Sequence, residues 1–208
     1  MVVPTGSAAV ATDAPIPASP QRPGDAKKGW DMLTGEGYVG CGVPRSLWDK
    51  FGAAAFGGSG TKIDRPRSAD LPYFLNAAKL ASGVEVVTAN CLGCHAAFMR
   101  GKLVIGLGEV STDFAMGGVA DPLAMAGMMV GEAERAELGK LAGRVRALEK
   151  VATRTAGTNP ADHIAAVLFA HRDQKTLAWS DEPLIPLDGE VIPVDVPAWW
   201  LLKKKSAM

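Results

Sequence analysis

No stretch of this 208-residue sequence approaches the roughly 18–20 consecutive apolar residues that a membrane-spanning helix needs. The longest candidates, Ala124 to Val130 and Val196 to Leu202, are far too short. An excess of either charge is also lacking. Lys and Arg total 22, and Asp and Glu total 22. The chain therefore has no basic surplus with which to displace counterions from a nucleic acid, and none is expected as a partner. Cysteine is scarce and odd in number, with three residues at 41, 91 and 94, which excludes a closed disulfide framework. Between Met1 and Ala14 there is no basic start and no apolar run of signal-peptide length.

What is present is enough hydrophobic material for a core, 48 % of residues, and an ordinary 21 % of charged ones. Twenty-four glycines and fourteen prolines predict helices joined by long loops rather than a tight bundle. Residues 1–24 are rich in Ala, Pro, Ser and Thr and poor in large apolar groups. They read as a disordered arm, unable to bury enough surface to offset ordering entropy. A domain is expected over 25–180, and an extended, proline-punctuated segment over 181–208, through Pro183, Pro186, Pro193 and Pro197. Gly57-Gly58-Ser59-Gly60 reads as a flexible break.

Within the domain, Asp70 can cap a helix that runs through Pro72, Leu75, Ala78 and Leu80 and stops at Gly83. Val84 to Thr88 is β-branched and suits a short extended lead-in to Cys91. Asp121-Pro122 opens a helix carrying Met125, Met128 and Met129 at a spacing that predicts core packing. Leu138, Leu141, Val145, Leu148 and Val151 recur every three or four residues across 132–153, an amphipathic helix. Asn159-Pro160 begins another, with Ile164, Val167, Leu168 and His171 on one face.

The motif that carries chemistry is Cys91-Leu92-Gly93-Cys94-His95. Two thiols three residues apart on a helical turn can each form a thioether to one vinyl group of a porphyrin. The histidine that follows then lies under the iron and offers it a ring nitrogen. The expected cofactor is covalently attached haem c, held by Cys91 and Cys94, with His95 as the iron's proximal ligand. Cys41 is left over and reads as a small buried residue. A thioredoxin-like pair is a weaker reading, since Asn90 rather than a Trp precedes the cysteines. Zinc is weaker too: a Cys₃His set would have to recruit Cys41 and one of His163 or His171, which are eight apart.

The sixth iron position stays open between several candidates. Met116 lies in the loop-like stretch Asp113-Phe114-Ala115-Met116-Gly117-Gly118, His163 and His171 lie on a helix, and the position could also be unfilled. The bland reading of His171 is a helix-end residue meeting backbone carbonyls. Gly106-Leu107-Gly108 lacks the third glycine of a dinucleotide fingerprint and reads as a loop beside the haem. Arg100 and Lys102 could pair with propionates or simply face water. Lys203-Lys204-Lys205 could dock an acidic redox partner or be a solvated run.

Further residues extend the haem motif into a looser pattern: Gly101-Lys102-Leu103-Val104, Gly106-Leu107-Gly108, Asn159-Pro160-Ala161-Asp162, Ala170-His171-Arg172-Asp173 and Val194-Asp195-Val196-Pro197-Ala198-Trp199-Trp200. With these, residues 25–208 resemble large bacterial cytochromes c with two haem domains, distantly similar to di-haem peroxidases and to rubber oxygenase. The resemblance implies that the Trp199–Lys205 stretch lies mid-chain, ahead of a second haem domain. This sequence has no second motif, so it looks like an N-terminal portion.

The expected fold is thus mainly α, a cytochrome c-like helical haem domain with long loops and an extended C-terminal segment. The expected function is single-electron transfer, to a redox partner protein or a second haem domain. The alternative is a peroxidase or oxygenase with an open iron position and Trp199 or Trp200 as a relay. A haem-based sensor would need an output domain, and none is visible. Because haem is joined to thiols after export, the expected compartment is the periplasm or another exported location, with a signal sequence removed or trimmed from this chain.

Overall fold

Val86, Val87 and Thr88 are β-branched at consecutive positions, and the strand they form sets the centre of the molecule. The computed structural model describes residues 23–55, 60–114, 118–153, 155–187, 196, 198 and 199. Its elements in chain order are α1 (Ala26–Gly35), β1 (Val43–Pro44), α2 (Arg45–Ala55), β2 (Leu75–Lys79), β3 (Glu85–Ala89), α3 (Leu92–His95), β4 (Ala96–Met99), β5 (Lys102–Ile105), α4 (Ala120–Ala126), a 3₁₀ turn (Gly127–Met129), α5 (Glu132–Leu148) and α6 (Ala161–Ala170). Strand β3 lies between β1 and β2, antiparallel to both, in the registers Val43 opposite Val87 and Ala77 opposite Val87.

The expected mainly helical, cytochrome c-like architecture is therefore corrected: helices and two antiparallel sheets share the described residues. The decisive segment is 70–83, predicted as a helix and found as β2 with its turn. A helix there would leave both β3 and the buried Arg65 without their partners. Instead, β2 supplies a full antiparallel ladder from Leu75–Ala89 to Lys79–Glu85. The carbonyls of Leu71 and Pro72 turn inward to accept from Arg65 at 2.9 and 3.0 Å. Gly83, expected as a helix stop, is instead the left-handed residue of the β2–β3 turn, at φ +84°. Tertiary pairing overrode a helical local preference, since Ala77, Ala78, Lys79, Leu80 and Ala81 are all good helix formers.

A second departure follows the motif. Ala96–Met99 and Lys102–Ile105 form a hairpin, β4 with β5, around a two-residue turn in which Arg100 and Gly101 both have positive φ. Arg100 and Lys102 are exposed at its tip.

The two helices predicted at the other end are present, but α5 stops at Leu148 rather than 153, with Leu141 part-buried and Val151 buried beyond its end, and Ile164, Val167 and Leu168 of α6 are part-buried. In α5, Leu138, Ala142, Val145 and Leu148 are buried, with Glu132 and Glu134 in the first turn and Arg146 in the last, a placement that suits the helix dipole. The methionines do not pack as expected. Met125, Met128 and Met129 are 64, 74 and 56 % exposed. The α-helix ends at Ala126 and tightens into the 3₁₀ turn, so the four-residue stripe is broken. Ala120 and Gly127 are buried there instead.

The hydrophobic core has two joined parts. Leu71, Leu75 and Val87 pack with Trp48 and Ala77, while Tyr73, Leu92 and Ala96 pack with Leu33, Ile63, Leu103, Ile105 and Trp199. Phe74 touches both clusters and meets the Tyr73 ring edge-on at 5.2 Å. No helix among the described residues is long and apolar enough to cross a membrane.

Candidate functional site

Strand β3 delivers the chain directly to the cysteine motif, and a buried polar chain holds the entry. The Asn90 side-chain oxygen accepts the Leu92 N–H at 2.8 Å, an Asx turn that starts α3. Its amide nitrogen donates to the Tyr73 carbonyl at 2.9 Å and to Asn76 Oδ1 at 2.8 Å. Asn76, fully buried, also accepts from Arg65 Nη1 at 3.0 Å and donates to the Glu36 carbonyl at 2.7 Å. Arg65 is itself buried, and burial lowers its pKa against the raising effect of Asp70. Sequence reasoning missed this chain. The only signal was Asn90 immediately before Cys91, a residue type that readily caps the turn after it.

From Asn90 the backbone winds through one helical turn. The His95 and Cys94 N–H groups both donate to the Cys91 carbonyl, at 3.0 and 3.3 Å. Cys91 and Cys94 are free thiols, each half-buried. Burial pushes the Cys94 thiol up, while a hydrogen bond from the Asn159 side chain pulls the other way. A strand, β3, does precede the pair, as a thioredoxin-like reading requires.

The loop after β5 folds back on the turn. Gly106 N–H donates to the His95 carbonyl at 2.7 Å, and Glu109 N–H to the Cys94 carbonyl at 2.9 Å. Gly106-Leu107-Gly108 thus lies beside the motif. Glu109 is buried, and its carboxylate accepts the Ser111 N–H at 2.6 Å. Gly157 reaches the same region. Its φ is +84°, its N–H donates to the Thr112 carbonyl, and a Cβ there would lie 1.9 Å from the Val110 carbonyl oxygen. Asn159, buried, follows two residues later. Glu109 and Asn159 were not foreseen as neighbours of Cys94, because each arrives from a loop distant in sequence.

His95 is covered on one face by Trp199, whose ring stacks on the imidazole with centroids 4.7 Å apart at 27°. The Trp199 N–H donates to the Gly106 carbonyl at 2.9 Å.

The other expected site residues are dispersed. His171 closes α6 as its C-cap, and its Nδ1 lies 2.9 Å from the Ser180 carbonyl. Its ring stacks on Trp179 at 5.0 Å and 12°. That is the helix-end role sequence reasoning set beside the ligand role. His163 and His171 line a cleft of about 800 Å³ between α5, α6 and residues 181–187. No residue of the Cys91–His95 turn is among its lining. Met116, Trp200 and Lys203–Lys205 lie outside the described residues, as does nearly all of the 1–24 arm and most of 181–208. Among the described residues no group of three or more His, Cys, Asp or Glu side chains is placed to hold a metal ion, so the zinc alternative has no site there.

Cys41 is 1 % exposed, and burial pushes its thiol up, with Arg144 as the nearest opposing influence. Cys41→Ser is expected to cost about 1 kcal/mol in chemical denaturation, the usual scale for a small buried change. It should leave any chromophore held at Cys91–His95 spectrally unchanged, and a lost or shifted absorption band would give Cys41 a role in the site. In comparisons with known proteins, no family model, no curated protein and no solved structure matches this chain.

Proposed function

We propose that this chain is a c-type cytochrome that passes single electrons outside the cytoplasm, with haem held covalently at Cys91 and Cys94 and ligated by His95. The observation that carries the reading is the turn itself. Two free thiols and an imidazole lie within one helical turn whose backbone is fixed on both sides, by Asn90 before it and by Gly106 and Glu109 after it.

The residues present fit the group. Each thiol can add across one vinyl group: the sulfur bonds one carbon, the hydrogen goes to the other, and no net oxidation occurs. An imidazole donates to iron through a nitrogen lone pair in the plane of its ring, so the Trp199 stack on the ring's face leaves that direction available. When bound, haem iron supplies reversible one-electron chemistry.

The chain's own residues set the conditions for it. Cys91 and Cys94 fix the group's position, so electron exchange requires no rebinding. His95 is carried on a turn whose Cys91, Cys94 and His95 carbonyls all accept backbone hydrogen bonds, which limits rearrangement between oxidation states. Tyr73, Leu92 and Ala96, all buried, exclude water on the motif's inner side, and a dry surrounding disfavours added positive charge on the metal. The partner is a redox protein or a second haem domain.

The test is extraction. Protein produced with export and attachment machinery should keep its pigment through acid–acetone treatment and give a c-type pyridine haemochrome. The same chain made in a cytoplasm without that machinery should be colourless. Pigment that extracts, or zinc found by metal analysis, would overturn the reading.

A further inference from the structure

We propose that Trp199 is a positioning residue for His95, and that Val196 and Trp199 together clasp the loop after the motif so that the imidazole is held in one plane. This rests on the haem reading above and adds to it a determinant of how the iron's ligand is oriented. Three observations carry it. Trp199 lies over the imidazole at 4.7 Å and 27°, within the range of favourable offset stacking. Its backbone N–H donates to the carbonyl of Gly106, and the N–H of that same residue donates to the His95 carbonyl. Gly106 therefore ties Trp199 to His95 through the main chain as well as through the rings. Three residues upstream, Val196 packs against Gly108 so closely that a Cβ on Gly108 would lie 2.3 Å from the Val196 carbonyl oxygen.

The helical turn fixes the His95 backbone but not the rotation of the imidazole about its Cβ–Cγ bond. A flat indole against one face removes it, because turning the ring out of parallel would drive an edge into the Trp199 face. The ring plane in turn fixes which iron orbitals the ligand overlaps, so the clasp acts on the metal through His95 and not by touching it.

The first arm of the test uses the haem-free 208-residue chain with ¹³C-labelled histidine. There are three histidines, hence three imidazole signals. The His95 and His171 ring protons should be displaced upfield by the ring currents of Trp199 and Trp179, and His163 should not. Trp199→Ala should return the His95 signal, identified by its loss in His95→Asn, to the unshifted position and leave His171 displaced. Trp199→Phe should keep a reduced displacement. Gly108→Ala, which retains the tryptophan but pushes Val196 away, should diminish it. A His95 signal identical in wild type and Trp199→Ala overturns the clasp.

The second arm uses the covalently loaded protein. Trp199→Ala should retain its haem and show a broadened electron paramagnetic resonance spectrum with displaced g values, and Trp199→Phe should restore a narrow one. Unchanged g values in Trp199→Ala would overturn the positioning role even with the stack intact. If no haem attaches to the wild type, the haem reading falls and the role toward iron with it, while the first arm still decides the clasp.

Discussion

His95→Ala protein should stay coloured after acid–acetone extraction yet lose its native absorption spectrum, whereas Cys91→Ala/Cys94→Ala protein should lose its pigment altogether. The two outcomes separate anchoring from ligation. On the proposed reading, thioethers at Cys91 and Cys94 would not involve His95, so its removal would leave the tether and take away only the nitrogen offered to the iron. The pyridine haemochrome makes the distinction sharp. Pyridine replaces both axial ligands, so His95→Ala and wild type should give the same haemochrome while their native spectra differ. A single Cys94→Ala variant should give a haemochrome displaced towards longer wavelength, since one vinyl group then stays conjugated with the ring. Only the turn Cys91–His95, among the described residues, brings two free thiols and an imidazole together. A His95→Ala protein with an unaltered native spectrum would show that another side chain is the proximal ligand. Titration with carbon monoxide would then extend the result to the opposite face: wild-type protein that binds it has an open position, and the peroxidase or oxygenase alternative gains over electron transfer.

The turn of the motif was legible because it is local: Cys91 to His95 wind through a single helical turn, which five consecutive residues can specify by themselves. The same holds for α5, where an apolar residue at every third or fourth position has one interpretation. It held for Cys41, whose burial followed from having no partner left. Legibility failed where a residue's environment is assembled from distant segments. Leu75, Ala77 and Ala78 favour helix locally, and what makes them a strand is β3, ten residues further on. The hairpin of β4 and β5 had a readable sign, Gly101 between two short runs with Val104 and Ile105 in the second, but expecting a cytochrome c-like domain biases the reading towards helix on both sides. Met125, Met128 and Met129 show the reverse error. Their spacing is helical, but spacing identifies a stripe and not which way the stripe faces. Glu109 and Asn159 could not have been placed near Cys94, since the loops that carry them are set by Gly106 and Gly157 at positive φ.

The largest loss of stability from a single side chain is expected at Asn76, and it should be measurable without any cofactor. Asn76 uses its full hydrogen-bonding capacity: Oδ1 accepts from Arg65 and Asn90, and Nδ2 donates to the carbonyls of Glu36 and Leu33. It is 0 % exposed, so no water replaces a lost partner. Asn76→Ala leaves a guanidinium, an amide and two carbonyls short of partners in the interior. The cost should be about 3–5 kcal/mol in chemical denaturation, the scale on which buried charged and polar groups are penalised when left unpaired. Arg65→Met should also destabilise, since the carbonyls of Thr34, Leu71 and Pro72 and the Asn76 oxygen lose their donor. The informative experiment is the cycle. With Arg65 already removed, taking away Asn76 no longer strands a buried cation. The double variant should therefore be more stable than the sum of the singles predicts, by about 1–3 kcal/mol of coupling. Strict additivity would mean that the two side chains do not share one network. The effect should also reach the cysteines. Asn90 loses an acceptor in Asn76→Ala, and Asn90 holds the first peptide of the motif's turn. Amide hydrogen exchange at Leu92, slow in the wild type because its N–H is bonded to Asn90, should speed up in Asn76→Ala well before the protein unfolds globally. Asn90→Ala should show the same local acceleration with a smaller global loss, because it breaks the last link of the chain and leaves Arg65 in place.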